Sequence, residues 1–426
     1  MVTIESISIH GFKAHSETEI PANNINIITG KNNVGKTSVL EAIDLAFQPT
    51  NIRRHGANAD TLINFNSKMA NISCQVNGSA GQPDLFDYTN TSKEYGTTVK
   101  RASDREKLDI FRELITRATN NISLNYLNET GQRESINTYK KVLSNVTREI
   151  ITEKNAENKL NRYFESIVVL EQEGLTTPFI YLSEEYTELV DEISATTVSQ
   201  LESRHNVDQE ALDELSWTIN REMGGLVIGR YGKSNFIGQL HDHEGVKLVS
   251  SLDITDKNIG SVDNHSVILS KIEDDLRKYN IIEDLYDFSL DNLVFEDGSD
   301  RYQLPYDSMG DGFKSITGLL WELKTADRDN QIILLEEPEN HMHPGYIQKL
   351  VEFIIEVARE EEIQFFITTH NVDLIDEFLG ITRTKTENYL IDNFQIVQMR
   401  KHASQIMDLE EARTQFEDLH LDLRGE

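Results

Sequence analysis

Residues 30–38 (GKNNVGKTS) constrain this chain more tightly than any other stretch. Gly30, Gly35, Lys36 and Thr37 meet the pattern G-x-x-x-x-G-K-[ST] in full. The apolar run just before it, residues 24–29 (NINIIT), reads as a strand ending at a glycine. Behind it, Val39, Leu40, Ile43 and Phe47 mark one face of a helix that Pro49 closes. Strand, glycine loop and helix in that order make a phosphate cradle. The glycines let backbone N–H groups wrap an anion, and the helix N-terminus adds positive potential. Lys36 is expected to reach the β- and γ-phosphates, and Thr37 to ligate Mg²⁺. The expected nucleotide-binding set is therefore Gly30, Lys31, Asn32, Asn33, Val34, Gly35, Lys36, Thr37 and Ser38.

A second stretch gains its meaning from the first. Residues 332–344 read IILLEEPENHMHP, four apolar residues followed by Glu336 and Glu337, with Pro338 stopping the strand. Ligands of open α/β sheets sit beyond the carboxyl ends of the strands. An acidic pair there can hold a hydrated Mg²⁺ and accept a proton from an attacking water. Further back, residues 308–312 (SMGDG) precede a helix with Ile316, Leu319, Leu320 and Leu323 inward. Ser308, Gly310 and Gly312 thus sit where a hydroxyl and helix-terminal N–H groups form an anion site, although S-x-G-x-G also serves as a plain loop and cap. Residues 364–368 (QFFIT) read as another buried strand, ending in Thr369-His370-Asn371.

Along the chain, strands are expected over residues 3–10, up to 20, 70–76, 122–127, 178–182, 246–252, 292–296 and 395–399. Helices are expected over 103–118, around 139–169, 184–219, 267–279 and 346–359, with an acidic helix at the end. Residues 78–100 read as polar and irregular, and Gly224-Gly225 with residues 231–233 as a boundary. No heptad pattern is long enough for an extended coiled coil. The expected division is an N-terminal lobe (1–100), a mainly helical insertion (101–235), a C-terminal lobe (236–400) and an acidic tail helix (401–426).

Phosphate loop, serine-glycine segment, acidic strand end and histidine strand end occur in one order that resembles the ATP-binding cassette (ABC) ATPases. Within them it is similar to the SMC/RecF/OLD branch, in particular OLD-type ATPases. The resemblance rests on residues 30–37, 309–314, 336–344 and 368–371; it covers both ends of the chain and hardly touches the middle. It implies an α/β fold: an ABC-type P-loop NTPase head, a mixed sheet with flanking helices, carrying a mainly helical insertion. It also implies a head-to-head homodimer holding two ATP molecules with Mg²⁺. Ser308 and Gly310 would contact the γ-phosphate of the partner's nucleotide, and His370 that of its own. Glu337 takes the water-activating position. Glu336 takes the place of a Mg²⁺-orienting aspartate, with a longer side chain. Lys13, in GFKAH, resembles a basic residue that approaches the nucleotide in this branch. The glutamine that contacts Mg²⁺ in the family has no assigned position here. Only a short stretch follows His370, so a Toprim nuclease domain is not expected. Relatives of this kind often act with a separately encoded nuclease or toxin in anti-phage defence.

Composition narrows the alternatives. There are 41 basic and 72 acidic residues, a net charge of −31, which disfavours nonspecific attraction of nucleic acid by the whole surface. A local basic groove stays compatible, so a RecF-like ATPase that clamps DNA is one rival, and a nucleotide-dependent scaffold is another. The acidity fits either a solvated halophile-type surface or an ordinary acidic protein. A transporter ATPase is disfavoured, since the signature is not LSGGQ-like. No apolar run approaches the roughly 20 residues that span a bilayer. With Cys74 as the only cysteine and no leader-like pattern at residues 1–12, a cytoplasmic location is expected and no membrane partner. His341 and His343 have H-x-H spacing but also belong to the loop after the acidic pair. His241-Asp242-His243 reads as solvated, and Asp327 and Asp329 as a loop rather than a metal pair.

Overall fold

The computed structural model describes residues 3–77, 93–130, 133–155, 159–205, 207–228, 234–236, 240–249, 264–325, 332–340, 342–401 and 403–418. The chain forms two compact units, one from Met1–Gln48, Ile72–Gly96 and Asp242–Glu426, the other from Pro49–Asn71 and Thr97–His241. In chain order, β1 (Thr3–Phe12), β2 (His15–Pro21), β3 (Ile25–Gly30) and α1 (Lys36–Phe47) come first. A 3-10 segment leads to β4 (Met69–Asn77) and β5 (Lys93–Arg101), through both of which the division passes. Next come α2 (Asp104–Thr130), α3 (Arg133–Asn155), β6 (Phe164–Gln172), β7 (Leu175–Leu182), α4 (Glu185–His205), α5 (Gln209–Ile228) and β8 (Ser234–Phe236). The first unit resumes with β9 (Val246–Val249), α6 (His265–Lys278), β10 (Leu285–Phe288), β11 (Asn292–Asp297), β12 (Asp300–Pro305) and α7 (Asp311–Thr325). It ends with β13 (Ile332–Glu336), α8 (Pro344–Glu360), β14 (Gln364–Thr368), α9 (Val372–Leu379), α10 (Thr384–Asn393), β15 (Phe394–Met399), β16 (Ser404–Met407) and α11 (Leu409–Arg413). The fold is α/β, as the sequence implies. No helix of the described residues is long and apolar enough to cross a membrane.

The site is positioned by a six-stranded sheet ordered β16-β15-β3-β14-β13-β9. All neighbours in it are parallel except β15 and β16. Ile25, Ile27 and Ile28 of β3, Ile332 to Leu335 of β13, and Phe365, Phe366 and Ile367 of β14 are all buried. Strands covered on both faces read as continuous apolar runs, which is why the sequence marks them so clearly. Register then does the rest. Thr368 lies level with Ile28 on one side and with Glu336 on the other. The carboxyl ends of β3, β14 and β13 therefore share one edge, and each continues into one of the motifs. At the opposite, amino ends of β14 and β3 a buried amide network locks the first unit. Gln364 holds both backbone groups of Ile4 (2.8 and 2.9 Å), while Asn26 donates to Phe365 O at 3.0 Å.

The antiparallel sheet β10-β11-β12 leads into the turn Tyr306–Ser308 and α7. Tyr306 and Phe313 are fully buried, their ring centroids 6.1 Å apart, and Phe288 packs against both. Two aromatic anchors thus leave the segment between them, with Ser308 and Gly310, facing outward.

In the second unit β5, β6, β7 and β8 pair antiparallel in that order. Gln172 opposes Leu175 across the two-residue turn Glu173-Gly174, both at positive φ (49° and 80°), as a type I′ hairpin requires. Helices α2 to α5 and these strands share a core that includes Phe111, Leu143, Tyr163, Ile193 and Ile219.

Several local expectations are corrected. Residues 122–127 are not a strand but the continuation of α2, because Ile122 prolongs the buried helical stripe of Ile115 and Ala118. The helix expected around 139–169 ends at Asn155, and Ile167 to Leu170 lie in the buried strand β6. Strand β5 occupies part of the stretch read as irregular, its buried side being Tyr95, Thr97 and Val99. Gly224-Gly225 interrupts nothing, since α5 runs on to Ile228. Residues 231–233, 250–252, Asp327, Asp329, His341 and 419–426 lie outside the described residues.

Candidate nucleotide site

The phosphate loop begins at the end of β3, where two glycines are required by geometry. At Gly30 (φ 144°) a Cβ would stand 2.5 Å from Met399 O, and at Gly35 (φ 105°) 2.5 Å from the His15 ring. Asn33 adds a third positive φ (65°), and Lys31, Asn32 and Asn33 are exposed. Lys36 opens α1, with its side chain turned back over the loop, donating to Gly30 O at 2.9 Å and Lys31 O at 3.3 Å. Burial pulls its ammonium below the usual lysine range, while Glu337 and Glu339 oppose that shift. An ammonium held among carbonyls of an exposed loop is available to a phosphate entering there. Val34 packs its side chain toward Gly30, and Ser38 is buried behind the loop.

Thr37 and Glu336 meet at the sheet edge, Thr37 Oγ1 donating to Glu336 Oε1 at 2.6 Å. These two oxygens are the donor set a hard cation prefers, so the residues fit Mg²⁺. Among the described residues no group of three or more His, Cys, Asp and Glu is arranged to hold a metal, so Mg²⁺ would need further oxygens from nucleotide and water. His343 does other work: its Nδ1 accepts from Gly345 N at 3.2 Å and caps α8.

Glu337 follows with φ 44°, a left-handed conformation uncommon for a side-chain-bearing residue. Its N–H is held by Thr368 O at 3.0 Å. Its carboxylate takes a hydrogen bond from His370 Nδ1 at 2.9 Å and another from Asn340 Nδ2 at 3.1 Å. His370 is half exposed beside it. The structure thus brings Lys36, Thr37, Glu336, Glu337 and His370 to one edge of one sheet.

The signature residues are placed apart from that cluster. Ser308 is exposed and donates to Pro305 O at 2.6 Å; a Cβ at Gly310 would meet nothing within 4 Å, and Gly312 is buried against Tyr346. Among the described residues none of them is hydrogen-bonded to the phosphate loop. Lys13 sits with its ammonium 2.5 Å from Glu41 on α1. Of the loop histidines, His241 and Asp242 are exposed, but His243 is half-buried and stands edge-on to Tyr95 at 4.7 Å.

Two residues of the site escape sequence reasoning. His15 bonds Gly35 O through Nε2 and Thr18 Oγ1 through Nδ1, both at 3.0 Å, and so braces the loop from behind. Burial lowers its pKa and keeps it neutral at neutral pH. Glu339 is 2% exposed and accepts from Thr369 Oγ1, while its other oxygen has no partner in the protein among the described residues. Thr369 Oγ1 in turn accepts from Asn371 N at 2.9 Å. Glu339 therefore ties the loop after β13 to the loop that carries His370.

Burial pushes the Glu339 carboxyl up to about 6. A raised carboxyl pKa means that the folded state holds the proton longer than the unfolded one. Stability from this group is present below the unfolded value and falls as pH rises through about 6, by about 2 kcal/mol in total. Glu339→Gln is expected to remove that slope. Urea unfolding of both proteins from pH 4 to 7.5 checks it, and identical slopes would refute the assignment.

Comparison with known proteins places this geometry in context. The family described as an AAA ATPase domain matches residues 3–375. Uncharacterized protein MJECL11 of Methanocaldococcus jannaschii is 30% identical over 122 residues, which are 28% of this chain and all of that protein. The DNA double-strand break repair Rad50 ATPase of Archaeoglobus fulgidus is 29% identical over 103 residues, 23% of this chain and 10% of Rad50. Among solved structures, an Smc head domain of Pyrococcus furiosus with an extended coiled coil aligns at a TM-score of 0.41. It is 13% identical, over 99% of this chain and 100% of that one.

Proposed function

The chain belongs to the AAA ATPase domain family, and from that premise we propose that it binds Mg²⁺-ATP at residues 30–38 and hydrolyses it at a site completed by a second copy. The observation that carries this reading is the convergence at one sheet edge. Lys36 and Thr37 follow β3, Glu336 and Glu337 end β13, and His370 follows β14, with Thr37–Glu336 and Glu337–His370 in hydrogen-bond contact. Phosphoryl transfer to water gains mainly from positioning and charge neutralisation. Thr37 and Glu336 would hold Mg²⁺, which when bound neutralises phosphate charge. Loop N–H groups and Lys36 orient the triphosphate. Glu337, its carboxylate fixed by Asn340 and His370, accepts the proton of the attacking water. His370, half exposed, would contact the γ-phosphate.

The outward-facing Ser308 and Gly310 support the second half of the reading. Their exposed position would let an anion beyond their own chain draw the Ser308 hydroxyl from Pro305 O, as a head-to-head homodimer would require. ATP binding would then close the dimer, and hydrolysis would reopen it. We assign the protein, by its resemblance to OLD-type ATPases, the role of an ATPase subunit working with a separate nuclease or toxin in defence. The Rad50 match favours a second reading, a DNA-repair clamp. In that case duplex DNA accelerates turnover with a steep salt dependence.

Thr37→Val tests the cation assignment with little change of shape. The Mg²⁺ concentration for half-maximal phosphate release is expected to rise about tenfold or more, in line with the cost of losing partners around a metal. An unchanged Mg²⁺ dependence would remove Thr37 from the site.

A further inference from the structure

Helices α2 and α3 each carry two stripes at helical spacing. One is apolar, with Phe111, Leu114 and Ala118 on α2 facing Leu143, Val146 and Ile150 on α3 in the core of the second unit. The other is polar and does not belong there on packing grounds. Arg112, Thr116 and Asn120 form it on α2; Lys140, Ser144 and Arg148 form it on α3. Between them runs an open groove of about 610 Å³, floored by Ile115 and Ile151, which are buried. That volume falls within the range of small-ligand sites, which also occur between helices of bundles.

The charges are the unusual part. Among the described residues three cations line the groove, and no carboxylate does. Arg112 reaches Asp109 of its own helix at 3.4 Å, Arg148 bonds only the Asn145 amide oxygen at 2.9 Å, and Lys140 has no partner among the described residues. In a chain with 72 acidic against 41 basic residues, two cations along one groove with no carboxylate partner among the described residues run against the composition. Asn120 and Ser144 add donors not taken up by other groups of the described residues, whereas the Thr116 hydroxyl is committed to Arg112 O.

We propose that this groove binds a small anion carrying several phosphate groups. Guanidinium forks and an ammonium match phosphate oxygens, and the side-chain donors at Asn120 and Ser144 suit the remaining ones. A single nucleic-acid strand fits less well, because among the described residues no aromatic ring lines the groove to stack a base. The α3 stripe, residues 140–152, is also only about 18 Å long. The proposal does not rest on the nucleotide reading of residues 30–38.

The test is titration calorimetry of full-length Lys36→Ala protein with inorganic tripolyphosphate at 150 mM salt, the substitution weakening any binding at the phosphate loop. Saturable binding is expected, weakened at least tenfold when Lys140→Gln and Arg148→Gln are added, with circular dichroism and melting temperature unchanged. Each glutamine alone, at an exposed position, should weaken it by a smaller factor, which keeps the test informative if the combined variant misfolds. Absence of saturable binding, or equal affinity in the glutamine variants, would overturn the proposal. So would tighter binding of a thymidine oligonucleotide lost in the same variants, which would assign the groove to nucleic acid.

Discussion

Glu337→Gln is expected to lower steady-state ATP turnover by about 10² to 10⁴-fold while leaving ATP binding intact, the range typical of removing a positioned general base. The physical reason is local. Glutamine keeps the shape of the side chain and one acceptor oxygen, which Asn340 can still use, while its amide N–H faces the His370 ring nitrogen, an acceptor in the other tautomer. What disappears is the capacity to take a proton from water. Nucleotide should therefore accumulate uncleaved, and the protein should remain in its closed dimeric form. Phosphate release under saturating Mg²⁺-ATP, together with retained nucleotide after rapid desalting, checks both parts. Turnover at the wild-type rate would mean that another group serves as base, and His370 is the neighbour to examine next.

Lys36→Ala should abolish the binding that Glu337→Gln preserves. Lys36 is the one cation of the loop that is buried, and its ammonium already rests on two loop carbonyls. Its burial is offset by Glu337 and Glu339, so the substitution also leaves two carboxylates without their cation. A hydrogen bond to a charged group is worth about 1.5–3 kcal/mol, so loss of the phosphate contact weakens affinity by about ten- to a hundredfold at least. Fluorescence titration with a labelled ATP analogue measures it. Because the side chain points over the loop rather than into the core, the fold should survive. Unaltered affinity would show that residues 30–38 do not hold the phosphates.

Much of this site is legible in the sequence because its strands are buried on both faces. Residues 332–335 and 364–368 read as strands from their apolar runs alone, and parallel pairing fixes which residues emerge together. Other parts are not legible, for identifiable reasons. Strand β5 buries Thr97 between Tyr95 and Val99, so its alternation looks polar on paper. Ile122, Leu124 and Tyr126 alternate with Ser123 and Asn125 as a strand's residues would, yet the helix runs on through them. Glu339 is a third carboxylate in a row of acidic residues, and nothing in its own neighbourhood separates it from Glu336 and Glu337. Only the approach of Thr369, from the next strand, gives it a distinct task. His15 is hidden in the same way, since its role depends on the β1–β2 hairpin meeting the loop after β3 at Gly35.

The relation between Ser308 and the cluster is of a third kind. Sequence order and resemblance assign Ser308 to a nucleotide, while within one chain its hydroxyl turns to Pro305 O. A composite site reconciles the two. Phosphate release from an equimolar mixture of Lys36→Ala and Ser308→Arg proteins, each inactive alone, tests that claim most directly. In a mixed dimer both defects fall on one site and the other is intact, so random pairing should restore about a quarter of wild-type turnover. A mixture as inactive as its components would contradict a site built from two copies.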